Sequence, residues 1–276
     1  MRTIAVINAK GGCGKSAIAV NVAAALGERG RRTLLVDLDP QGSASEWLGG
    51  GPSGERELFD AFVGTRDLAS LAGPSRAPLV DLVAASSWLV TAERTLQVDL
   101  AMGAIRAMER LPEEWDFVLV DCPPTLGYLA TAALCGVSEA LLPTEAHGLG
   151  LSGVDAVLDE LDRIHVRLNP GVAVTGIVIS RLSRTNHARD SVANLRAVHG
   201  DLLFEATVRD SIRVPEAAVA GLPVILHTPA APVAGDVRAV AAELIRRDPH
   251  GPAADPDETS RGGWRGLVGR LVGAGS

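Results

Sequence analysis

The chain has 276 residues, of which 47% are hydrophobic, enough apolar content to bury one large α/β core, so one domain is expected rather than two. Aromatic residues make up only 3%, which leaves packing to Val, Leu, Ile and Ala, the usual content of a buried parallel sheet under helices. A formal net charge of −7 argues against whole-molecule attraction to nucleic acid, so binding of that kind needs a local basic patch.

The first predicted element is an apolar strand around Ile4, Val6 and Ile7. It runs into Asn8-Ala9-Lys10-Gly11-Gly12-Cys13-Gly14-Lys15-Ser16 and then a small-residue helix marked by Ile18, Val22 and Leu26. Glycines at 11, 12 and 14 let successive backbone N–H groups converge on one point, and the helix adds its positive N-terminal end. Such a nest suits a polyphosphate, with Lys15 reaching the β- and γ-phosphates and the Ser16 hydroxyl ligating magnesium. Ala9 stands where the ordinary phosphate loop has its first glycine, and a second lysine follows at Lys10. A lysine at the start of the loop does not easily fold back onto the phosphate its own loop surrounds. Its natural target is a phosphate held by a second copy of the chain, which predicts a nucleotide-sandwiched homodimer.

Leu34 to Asp39 reads as the second strand, ending in two acids before the polar turn Pro40-Gln41-Gly42-Ser43. Residues 49–56 read as a surface loop. Leu79 to Ala85 is expected as a strand, Thr91 to Met108 as one helix, and Trp115 to Val120 as a strand ending at Asp121-Cys122-Pro123-Pro124. Further strands are expected at Ala140–Pro143 and Gly176–Ile179, separated by a helix from Ser152 to Leu168. Thr207-Val208 together with Pro223-Val224-Ile225 is expected to close the sheet, and a helix from Val233 to Arg247 to finish the domain. This alternation implies a three-layer α/β fold, a mostly parallel sheet flanked by helices, with its ligand at the strands' carboxyl ends. Asp121 follows four apolar residues and matches the strand-end aspartate that holds a magnesium-bound water behind a phosphate loop. Cys13, Cys122 and Cys135 lack C-x-x-C spacing and read as free cytosolic thiols. No charged-plus-apolar signal precedes the first strand and no apolar run reaches about 18 residues, so a cytoplasmic protein is expected.

The loop Lys10-Gly11-Gly12-Cys13-Gly14-Lys15-Ser16 resembles the deviant Walker A loop of the ParA/MinD family of dimerising P-loop ATPases, and Asp37-Leu38-Asp39-Pro40-Gln41-Gly42 resembles the second nucleotide motif of ParA partition ATPases. The resemblance covers residues 3–247 and implies ATP and Mg2+ as cofactors, with residues 1–247 as the ATPase domain. It implies Lys10, Lys15 and Asp39 as catalytic residues, Asp39 orienting the attacking water. Asp37 would support the magnesium shell with Ser16 and Asp121. Residues Gly11 to Ala17 would hold the phosphates, while Arg209 and Asp210 lie in the segment that helps hold the adenine. Ala17 replaces a common second hydroxyl, Val208 a proline and Asp210 an asparagine, so the base contacts depart from the family pattern.

Four arginines lie in two short carboxyl-half loops, and the resemblance implies that these, Arg181, Arg184, Arg209 and Arg213, bind DNA non-specifically once the dimer forms. Six phosphate contacts across such a dimer would lose about 10³ or more in affinity as salt rises. The family also implies a ParB-like adaptor that stimulates hydrolysis, a nucleoid-associated location, and a DNA or protein cargo. His147 reads as a surface residue. From Asp248 to Gly263 the composition shifts to a linker, and the tail places Trp264, Leu267, Val268, Leu271 and Val272 at helical spacing. Gly266 and Gly269 weaken that helix, at about 1 kcal/mol each. Membrane attachment through the tail, as in MinD, is therefore the alternative to DNA binding.

Overall fold

A computed structural model describes residues 1–49, 57–95, 98–146 and 148–250. Seven strands form one sheet: β1 Arg2–Val6, β2 Thr33–Asp37, β3 Gly73–Pro74, β4 Val80–Val83, β5 Phe117–Asp121, β6 Glu139–Glu145 and β7 Ala173–Ser180. Their order is β3-β4-β2-β5-β1-β6-β7, with every pairing parallel except the short β3 beside β4. The expected α/β sandwich is therefore present, with the phosphate-loop strand β1 near its centre.

Why the strands read as continuous apolar runs is seen in β1. Ala5 and Ile7 pack into one core and Ile4 and Val6 into the other, so both faces of the sheet are covered. On the second face lie α1 Lys15–Glu28, α2 Ser43–Leu48, and, from the carboxyl half, α9 Arg213–Val219, α10 Val224–His227 and α11 Pro232–Arg246. The first face carries α3 Glu57–Phe62, α4 Leu89–Thr95, α5 Val98–Glu109, α6 Tyr128–Gly136 and α7 Gly148–Arg167, with α8 Asn186–His199 beside β7. Buried Ala, Val and Leu dominate both cores, and α1 brings Ala23, Ala24 and Ala25 against the sheet without aromatic filling.

The helix expected from Thr91 to Met108 is seen as α4 and α5, which lie on either side of residues 96 and 97, two positions outside the described residues. Two expectations are corrected. Pro223-Val224-Ile225 is not sheet: Pro223 caps α10, its carbonyl accepts the N–H groups of Leu226 and His227, and the Val224 N–H is taken by Asn21 Oδ1 at 2.7 Å. Buried Val224 and Ile225 meet α1 and α11 from a helix, which a short apolar run alone does not distinguish from a strand. Thr207-Val208 does extend the sheet edge, through Val208 N to the Ile179 carbonyl and Leu182 N to the Val208 carbonyl, but as isolated ladder bonds and not a strand.

Leu79, expected to begin the third strand, is exposed with φ 60°, and β4 starts one residue later. His147, the loop at 50–56 and the tail at 251–276 lie outside the described residues. Among the described residues no helix is long and apolar enough to cross a membrane.

Candidate nucleotide-binding site

The register of the central strands assembles the site. Asp37 at the end of β2 is paired directly with Asp121 at the end of β5, and Val6 at the end of β1 is paired with the same Asp121. Three carboxyl ends thus meet side by side in the order β2-β5-β1, and the phosphate loop leaves from β1. Gly12 and Gly14 hold φ of 77° and 86°, the left-handed backbone that turns consecutive N–H groups toward one point and that a side chain resists. Gly14 serves as N-cap of α1 without a side-chain cap, leaving the first N–H groups of that helix for a ligand. From the far edge of the sheet, Ser180 of β7 donates its hydroxyl to the Cys13 carbonyl and clamps the loop. Cys13 is buried and its thiol is pushed up by burial, which suits a packing role and not a reactive one.

Lys15 is buried, with Nζ donating to the Lys10 carbonyl at 3.1 Å across the loop. Asp37 is fully buried: Oδ2 accepts the backbone N–H and the hydroxyl of Ser45, each at 2.7 Å, and Oδ1 accepts the Asp39 N–H at 3.2 Å. Burial nevertheless pushes its carboxyl up to about 6. Asp121 is fully buried with neither carboxylate oxygen in a hydrogen bond of ordinary geometry. Burial first, and then the charge of Asp37, raises it well above the usual carboxylate range, with Ser16 and Lys15 offsetting only part. Two adjacent buried acids, one of them so weakly satisfied, are expensive unless a cation or its water completes them.

That arrangement fits magnesium. Among the described residues no three His, Cys, Asp or Glu side chains close a cage around an ion. Magnesium here would be held by the Ser16 hydroxyl, phosphate oxygens and waters anchored by Asp37 and Asp121, the manner in which this ion usually binds beside phosphates. Asp39 lies just beyond β2, mostly buried, with Oδ1 accepting the Gln41 N–H at 3.0 Å, at the opening of the turn before α2.

Lys10 occupies the rim. Its Nζ pairs with Glu145 Oε2 at 2.8 Å, both side chains partly buried, and its backbone N–H is accepted by the side chain of Asn8. Glu145 also accepts Arg181 Nη1 at 3.1 Å. Sequence reasoning passed over Glu145, although it ends β6 at the same sheet edge where Asp37 and Asp121 end theirs.

Behind the loop is a cavity of about 440 Å³. Ala17, Ile18 and Asn21 of α1 form one wall, Val208 to Ile212 another, and Trp47 of α2 closes it. Arg209 and Asp210 do line this cavity, but the Arg209 guanidinium is committed to Asp236 of α11, with Nη2 to Oδ1 at 2.7 Å. Trp47, its Nε1 donating to the Leu222 carbonyl, and Asn21 belong to the same cavity and were read in the sequence only as packing residues or not at all. The expected DNA-facing arginines do not form one patch of free cations. Arg181 reaches Glu145 and the Gly12 carbonyl beside the phosphate loop, and Arg213 pairs with Glu216 at 2.7 Å. Arg184 forms no ion pair among the described residues and borders a groove of about 520 Å³ with Arg189.

Comparison with known proteins agrees with this geometry. Residues 1–174 match a family model described as an AAA domain. The uncharacterized protein Rv1708 of Mycobacterium tuberculosis is 37% identical over 252 residues, spanning 89% of this chain and 79% of that protein. The chromosome partitioning protein ParA of Caulobacter vibrioides is 32% identical over 237 residues, spanning 82% of this chain and 87% of that one. Among solved structures, cobyrinic acid a,c-diamide synthase from Mycobacterium smegmatis with a bound ATP analogue and magnesium superposes with a TM-score of 0.76 at 27% identity, covering 91% of this chain and 97% of that one. Apo McdA from Cyanothece superposes at 0.79 with 19% identity, a likeness of fold. With its phosphate loop, paired strand-end acids and relatives along most of its length, the chain belongs to the ParA/Soj-type partition ATPases of the ParA/MinD family.

Proposed function

We propose that this chain binds magnesium and ATP at the β1–α1 loop, closes over the nucleotide as a homodimer, and hydrolyses ATP slowly until a ParB-like adaptor stimulates it. The observation that carries the reading is the pair of buried acids in register at the strand ends, one of them with no hydrogen bond of ordinary geometry, beside a glycine loop that aims N–H groups outward. The M. smegmatis structure with its ATP analogue and magnesium supports the same ligands for this site.

In this reading Lys15 and the loop N–H groups hold the phosphates, Ser16, Asp37 and Asp121 hold the magnesium and its waters, and Asp39 orients the attacking water. Lys10 leaves Glu145 and reaches the phosphate of the second subunit. The exchange is favourable by magnitude. A partly exposed ion pair contributes about 1 kcal/mol or less, whereas a cation on a transferring phosphoryl group contributes about 4–7 kcal/mol to the barrier. Closure then presents Arg184 and its neighbours to DNA without sequence selection, so that the ATP-bound dimer rests on the nucleoid and is released after hydrolysis, positioning a DNA or protein cargo.

A sizing column and a DNA-retention assay test this together. With a non-hydrolysable ATP analogue and magnesium the protein should run as a dimer and retain a random-sequence duplex, and with ADP it should do neither. A monomer in both states would overturn the proposal.

A further inference from the structure

We propose that Ser45 is a positioning residue for magnesium, acting through Asp37; the inference rests on the magnesium-nucleotide reading above. Ser45 lies in α2, fully buried. Its hydroxyl accepts the Ala85 N–H at 2.8 Å, just beyond β4, and donates to Asp37 Oδ2 at 2.7 Å. A hydroxyl has one proton to give, and with the Ala85 N–H aimed at its oxygen that proton is directed to Asp37.

The consequence is a choice between the two carboxylate oxygens. Oδ2 of Asp37 receives both the N–H and the O–H of Ser45, which fills its two lone pairs, while Oδ1 receives only the Asp39 N–H. Of the four acceptor positions on Asp37, three are occupied by this chain and the one left is on Oδ1. Ser45 therefore decides which oxygen faces the metal side and locks the carboxylate torsion. The lock runs from β2 through Ser45 of α2 to the chain just past β4, so the Asp37 side chain is tied to three separate segments of the fold. Partners that orient a metal-side carboxylate typically change metal affinity by about 10–100-fold when removed.

The alternative is that Ser45 merely satisfies a buried acid, and magnesium titration separates the two. With ADP held constant, the rise in melting temperature is followed against magnesium concentration in the parent, Ser45→Ala and Asp37→Asn proteins and in the double variant. Ser45→Ala should need about tenfold or more magnesium for the half-maximal rise, with its ADP response in EDTA unchanged. In the Asp37→Asn background the same substitution should add no further change. An unaltered magnesium midpoint in Ser45→Ala, or an equal added change in the Asp37→Asn background, overturns the proposal. Should Ser45→Ala not fold, Ser45→Cys keeps the shape with a weaker donor; a raised midpoint supports the positioning role and a parental midpoint rejects it. A parent protein indifferent to magnesium would instead reject the nucleotide reading, which keeps the two failures apart.

Discussion

Replacing Lys10 by alanine tests the central step most directly. In the single subunit the lysine contributes one ion pair to Glu145, partly exposed, worth about 1 kcal/mol or less. Glu145 keeps Arg181 at 3.1 Å after the change, so no buried acid is abandoned and the melting temperature of the nucleotide-free protein should move by only a few degrees. The phosphate loop keeps its shape, because Asn8 holds the backbone N–H of residue 10 and not its side chain. If Lys10 acts on the phosphate of the second subunit, however, its loss removes about 4–7 kcal/mol from the transition state, a fall of roughly 10³–10⁵ in hydrolysis rate. Single-turnover hydrolysis, measured with adaptor and DNA at saturating ATP, reads this difference, and a mixture of Lys10→Ala with Asp39→Ala subunits tests the crossing between chains. Turnover within about tenfold of the parent would refute the reasoning, since a rim ion pair cannot account for more.

Other outcomes follow from the same geometry. Glu145→Gln should release Lys10 from its intramolecular partner and shift analogue-driven dimerisation to about fivefold lower protein concentration, read by analytical ultracentrifugation. Asp121→Asn should abolish the magnesium response while stabilising the magnesium-free protein by about 1–3 kcal/mol near neutral pH, because it removes a buried acid whose desolvation Ser16 and Lys15 offset only in part. The sign with pH is set by raised acids: Asp37 stands at about 6 and Asp121 higher, so the folded protein holds their protons longer than the unfolded chain. Their stabilising contribution is complete below about pH 4 and is lost as pH rises through 6, so the advantage of Asp121→Asn in urea unfolding should vanish toward acid pH. Arg184→Glu should weaken DNA retention and flatten its salt dependence, whereas Arg209→Ala, by freeing Asp236, should act on nucleotide binding first; equal effects of both on DNA alone would contradict the assignment.

The phosphate loop was legible because its chemistry is local. Three glycines, two lysines and a serine in fixed order dictate a left-handed turn and a helix start wherever the chain places them, and Gly12 and Gly14 adopt that backbone. Strand ends were legible too, since apolar runs closing on Asp37 and Asp121 mark sheet edges. The third dimension supplied the rest. Nothing near residue 45 announces that its hydroxyl ties Asp37 to Ala85, forty residues on, and nothing near residue 10 announces Glu145. Arginine clustering in the sequence suggested one basic surface, but acids distant in the chain, Glu145 and Asp236, claim Arg181 and Arg209.

By itself the amino-acid order determined the class of ligand and the layered α/β frame, because backbone torsions, apolar runs and helix starts obey neighbours within a few positions. Only the folded sheet decided which carboxylate stands beside which and which cation is already paired. Those depend on strand register between segments 80 to 135 residues apart, a relation carried by no local pattern.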